Sequence, residues 1–138
     1  MRRAIVLLLL TVCASNACAS RGARPSAPVP SAVPAPDLAG RWDFSVDLGT
    51  RTTPGVLWLF LRGGEYTGTL SPQGTNALPV RSLVLRRDQV AMTVDTPEGP
   101  VTFDGTIGES GAAMQGIVTY HQGVRYPLTA RRRPSGGS

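Results

Sequence analysis

The sequence predicts an all-β fold, an eight-stranded antiparallel up-and-down barrel, and three observations carry the prediction. Large apolar residues alternate with polar ones in short runs, the period of a strand with one buried face. Turn residues (Gly-Gly, Arg-Asp, Pro-Glu-Gly-Pro, His-Gln-Gly) interrupt these runs at short intervals. No stretch past the N-terminal segment keeps a 3.6-residue apolar period over ten residues, so no helix is expected there.

The pattern is plainest in residues 56–70, VLWLFLRGGEYTGTL. Gly63 and Gly64 can take the positive φ values of a tight hairpin, because neither has a Cβ to clash. A two-residue loop there puts Arg62 opposite Glu65 and makes Leu61 and Tyr66 diagonal neighbours. Leu57, Leu59 and Leu61 would face inward from one strand, and Tyr66, Gly68 and Leu70 from the next.

Taken in order, the first strand covers 41–47, with Trp42, Phe44 and Val46 alternating against charged and polar neighbours. The hairpin supplies the second and third. The fourth spans 80–86 with Leu83 and Leu85 inward, and Arg87-Asp88 turns the chain into the fifth, 89–95, with Val90, Met92 and Val94 inward. Pro97 and Pro100 close that strand, since proline cannot donate to a ladder. The sixth, 101–107, presents Val101, Phe103, Gly105 and Ile107. The seventh, 114–120, presents Met114, Gly116, Val118 and Tyr120, and the eighth, 124–131, presents Tyr126, Leu128 and Ala130.

Eight meandering strands leave two raw edges unless the sheet closes on itself. Gly68, Gly105 and Gly116 each follow a bulky inward residue by two positions, and glycine at such places permits the coiling a small barrel requires.

The 138 residues hold one domain and flanks. Residues 1–18 have the layout of an export signal: Arg2 and Arg3, a nine-residue apolar run over 4–12, then small residues. Nine residues are too few to span a bilayer as a helix. Ala17-Cys18-Ala19 fits a small-x-small cleavage site, and Cys18 before Ala19-Ser20 also resembles the acceptor cysteine of a bacterial lipoprotein, with Ser15 where that pattern usually has an aliphatic residue. The first implies a soluble periplasmic or secreted protein, the second a lipid anchor on Cys18 in the cell envelope. Both cysteines, Cys13 and Cys18, lie in this region, so the mature chain has no intrachain disulfide. Residues 19–37 are a Pro/Ala/Ser tether with too few large apolar groups to order itself, reaching about 50 Å if extended. The barrel occupies 38–131, and 132–138 form an unstructured tail.

The net charge of +5 is uneven. Every basic residue is arginine, and the excess sits in the flanks, at Arg2, Arg3, Arg21, Arg24, Arg132 and Arg133. The barrel stretch is balanced, which argues against a nucleic-acid partner, since that needs a basic face on the domain itself.

Gly40-Arg41-Trp42 on the first strand, with an arginine ending the last, resembles the lipocalin and calycin-like barrels, and more closely the small bacterial lipocalin-like domains of exported proteins. The resemblance implies that Trp42 plugs one end of the barrel and that Arg131 stacks on it. These strands are shorter than a lipocalin's, and the usual helix after the barrel is missing.

No catalytic set has persuasive spacing. The lone histidine, His121, reads as a hairpin tip with no cysteine or second ligand type beside it, so no metal or cofactor is expected. Asp43 and Asp47 stand roughly 13 Å apart along one strand, too far to act together on one bond. With Asp104 and Glu109, they read as solvating charges. The expected function is therefore non-enzymatic. Within the barrel, Tyr66, Phe103, Met114, Tyr120 and Tyr126 would line space for a small apolar or amphipathic ligand. On the outside, Val56, Trp58 and Phe60 would form an exposed apolar strip, the material of a protein interface, self-association or membrane contact.

Overall fold

The computed structural model describes residues 34–108 and 110–134. The expected signal with Cys18, most of the tether, Glu109 and the last four residues lie outside the described residues.

Eight strands follow one another without interruption by a helix among the described residues: β1 (Gly40–Asp47), β2 (Thr52–Arg62), β3 (Glu65–Pro72), β4 (Leu78–Arg86), β5 (Gln89–Thr96), β6 (Gly99–Ile107), β7 (Ala113–Thr119) and β8 (Arg125–Arg132). Each pairs antiparallel with its neighbours in sequence, and β1 pairs with β8, so the sheet is a closed barrel with no free edge. The β1–β8 ladder sets Trp42 opposite Arg132 and Val46 opposite Leu128.

The turns obey their residue chemistry. Gly63 and Gly64 both have positive φ, 58° and 85°, and Arg62 pairs with Glu65. Leu61 then stands directly across from Tyr66 rather than diagonal to it, because a two-residue loop pairs the residues flanking it one to one. At the β4–β5 turn Arg87 takes φ 58°, an uncommon conformation for a side chain with a Cβ.

Two departures from strict alternation matter. Val80, outward by the simple count from Leu83 and Leu85, is buried at 5% exposure. The cause is a register shift on β4: Val80 pairs with Val94, whereas Ser82 pairs with Thr93, so an extra residue is accommodated and the strand changes face. Leu61, expected inside, is 50% exposed, because its position falls at the lip of the barrel below the last layer of core side chains.

The core is the alternate-residue lining: Trp42, Phe44 and Val46 from β1, Leu57 and Leu59 from β2, and Phe103, Met114, Val118 and Leu128 among those from later strands. The glycines earn their places sterically. A Cβ on Gly116 would meet the Asp104 carbonyl oxygen and the Gly105 Cα, and one on Gly105 would meet the Gln115 carbonyl oxygen. The Phe103 ring lies over both, filling the space their missing side chains leave.

The domain runs past the expected boundary at 131. Arg132 belongs to β8, and the Arg133 amide donates to the Arg41 carbonyl at 2.9 Å.

Candidate functional site

The two ends of the barrel are built differently. One, formed by the start of β1, the end of β8 and the β2–β3, β4–β5 and β6–β7 turns, is shut. Trp42 lies across it with no exposed surface. Its indole Nε1 donates to the Leu38 carbonyl at 2.9 Å, which brings Leu38 under the barrel, also fully buried. The Leu38 amide donates to the Tyr66 hydroxyl at 3.1 Å, and that hydroxyl donates to Asp37 Oδ1 at 3.2 Å. Gly40 enables this strap to enter β1: its φ of 126° is open to glycine and rarely to other residues.

Over Trp42 lies an arginine, as the lipocalin resemblance implies, but it is Arg132 and not Arg131. The Arg132 guanidinium sits 5.7 Å from the indole centroid and also donates to the Ala39 carbonyl. The physical reason is strand parity. Ala130 faces inward, so the next inward position is Arg132, and Arg131 points to solvent.

The opposite end, the mouth, is ringed by the β1–β2, β3–β4, β5–β6 and β7–β8 connections. Here the lining leaves an apolar cavity of about 90 Å³ among Phe44, Val46, Leu78, Val101, Tyr120 and Leu128. This is well short of the ~300–1,000 Å³ of a pocket that encloses a whole small molecule. Tyr120 lies at its rim and meets Tyr126 edge to face at 5.7 Å between ring centroids. Burial, then the neighbouring Tyr126, raises the Tyr120 phenol above its ordinary value near 10. It is thus a neutral donor over the physiological range. Beside it, His121 Nε2 lies 3.2 Å from Glu98 Oε2 across two connections.

Of the five residues expected to line a cavity, Tyr120 does so and Tyr126 packs against it. Phe103 and Met114, each 2% exposed, are consumed in the packed core. Tyr66 serves the shut end instead. The residues that sequence reasoning missed are Leu38, Asp37 and Arg132 at the shut end and Leu78 and Pro72 at the mouth, where Leu70 was expected only as an inward residue. Arg132 was legible from alternation. Leu38 was legible only as a lone large apolar residue after a proline-rich run.

On the outer face two of the three residues expected to form a strip are exposed. Trp58 is 41% and Phe60 46% exposed, with rings parallel within 7° and centroids 6.4 Å apart. Val56 is half-buried. Arg41 lies 5.8 Å from the Trp58 centroid and Arg62 6.0 Å from that of Phe60, so a cation stands at each end of the aromatic pair. Asp43 takes Arg133 at 2.9 Å and Arg41 at 3.4 Å. Asp47 and Asp104 join no ion pair among the described residues, where no three potential metal ligands come together.

No protein-family model matches this chain, and no curated protein matches it either. Among solved structures it is similar to a redesigned β-barrel, at a TM-score of 0.53 and 14% identity over 70% of this chain and 91% of that one. It is also similar to a de novo designed fluorescence-activating β-barrel, at a TM-score of 0.49 and 16% identity, covering 69% and 93%. The chain is an eight-stranded antiparallel β-barrel whose likeness to the redesigned barrel is one of fold.

Proposed function

We propose that this is an exported, lipid-anchored, non-enzymatic barrel of lipocalin-like type that binds the apolar end of a small amphipathic ligand at its mouth. The observation that carries the reading is the asymmetry of the two ends: fully buried Trp42 and Leu38 close one, and an apolar cavity lies at the other, under Tyr120. A cavity of about 90 Å³ admits a short alkyl or small ring terminus and leaves the polar remainder of the ligand outside, beside the tyrosines and the His121–Glu98 pair. The anchor reading rests on the sequence around Cys18 alone.

Native mass spectrometry of the mature protein, mixed with a cell-envelope extract, tests the mouth. A one-to-one adduct is expected, and Leu78→Trp, which fills the opening, should remove it. Persistence of the adduct in that variant, or no adduct from any extract, defeats the reading. Palmitate labelling that vanishes in Cys18→Ser would establish the anchor; labelling retained in that variant rules Cys18 out.

A second reading has its own support. The nearly solid core and the exposed Trp58–Phe60 strip favour a module that works through its outer face.

A further inference from the structure

The outer face of β1 and β2 carries more than two aromatic rings. Trp58 and Phe60, both at least two-fifths exposed, share this face, and Leu61, on the opposite side of the strand, is exposed at the lip of the shut end. Arg41 and Arg62 bracket the rings, and Arg131 and Arg133 stand exposed on the adjoining end of β8 and just beyond it. Against these four arginines the same face offers Asp43, which Arg133 and Arg41 already engage, and Glu65, which sits across from Arg62. The patch is therefore apolar at its centre and cationic at its border. It also lies at a particular end. The strap through Asp37 and Leu38 passes beneath the shut end, with Pro36 close to Gly111 in the β6–β7 turn. The described chain thus enters the barrel at the end where the patch emerges, away from the mouth.

From this juxtaposition we propose that the Trp58–Phe60 face seats the barrel on an anionic phospholipid surface. Tryptophan and phenylalanine flanked by arginine suit the headgroup boundary, where the ring enters the acyl edge and the guanidinium meets phosphate. A second copy of the chain is the poorer occupant, since a twofold contact would bring these arginines against their own counterparts. A protein partner is poorer too, because two exposed rings fall short of the roughly 800 Å² per partner of a stable interface. The mouth would then face away from the lipid and stay open. The proposal rests on the outer-face reading above and does not need the acyl group.

The test uses the chain from Ala19 to Ser138, which lacks Cys18 and keeps the tether, every strand and the whole barrel core. Its probe is vesicles of phosphatidylglycerol with phosphatidylcholine, compared with phosphatidylcholine alone. At low salt the protein should sediment with the anionic vesicles and Trp58 emission should shift to the blue, with the buried Trp42 as an internal constant. Trp58→Ser/Phe60→Ser should weaken binding roughly tenfold or more. At low salt Arg41→Gln and Arg62→Gln should each weaken it about fivefold, and that difference should shrink as salt rises. Near-ultraviolet circular dichroism, which reports Trp42, verifies that each variant folds. No sedimentation at low salt overturns the proposal, as does equal binding to both vesicle types or binding that the aromatic double variant leaves intact. Dimer formation without lipid that buries Trp58 also overturns it, in favour of self-association. Because Cys18 is absent throughout, failure here leaves the anchor to be decided separately by labelling.

Discussion

The shut end and the mouth are built from the same eight strands, yet they spend their side chains in opposite ways. At the shut end every large group is tied twice: Trp42 by burial and by its bond to Leu38, Tyr66 by its bonds to the strap, and Arg132 by the indole face and the Ala39 carbonyl. At the mouth Tyr120 and Tyr126 meet edge to face and pack against the core, above an unfilled space. A closed sheet has no edge to protect, but it has two open rims. Here a chain segment from outside the sheet seals one of them, and the other remains available. Side-chain hydrogen bonds concentrate at the first, and the apolar cavity lies at the second.

Trp42→Ala should break the contrast most severely. It removes the largest fully buried side chain and orphans the Leu38 carbonyl, and is expected to cost about 3–5 kcal/mol in denaturant unfolding. A cost below about 1 kcal/mol would mean the shut end is not the stable one. Leu38→Ala should cost about 2–4 kcal/mol although Leu38 belongs to no strand, whereas Leu78→Ala at the half-buried rim of the mouth should cost less than half as much. Equal costs would erase the distinction between the rims. Tyr66→Phe removes one hydroxyl that holds the strap, with an expected loss of about 1 kcal/mol and faster amide exchange at Leu38.

The smallest effect belongs to the mouth and appears only in alkali. The folded Tyr120 phenol ionises later than it would in the unfolded chain, so its contribution is complete below the ordinary value near 10 and is lost as pH rises through the raised folded value. Spectrophotometric titration should show Tyr120 ionising late. Tyr126→Phe should bring it earlier, since Tyr126 is the lesser of its two causes. A Tyr120 that titrates with the free phenol would place that ring in solvent and remove it from the cavity rim.

Much of this was legible because a barrel strand is a local object. Alternation identifies Trp42, Phe44, Leu57, Leu59, Phe103, Met114 and Leu128 as core without knowledge of their partners, and Gly63-Gly64 specifies its turn. Alternation failed where geometry beyond the strand intervened. The bulge in β4 turned Val80 inward because β3 and β5 set its register from both sides. Leu61 kept its phase but ran out of barrel. The aromatic strip on β2 was visible from parity, but its flanking cations were not, because Arg41 reaches Trp58 only through the β1–β2 pairing. The candidate ligand set failed for a related reason. Parity says which residues face inward and says nothing about depth, so Phe103 and Met114 in the packed middle looked the same as Tyr120 at the rim.

By itself, then, the sequence determined the strands, their turns and the inward set, since each depends on neighbours within a few residues. Tertiary structure decided which rim is sealed, that Arg132 rather than Arg131 covers Trp42, and that the remaining space lies beneath Tyr120. Those outcomes follow from closing β1 onto β8, which joins residues some ninety positions apart and fixes the level at which every inward side chain stands.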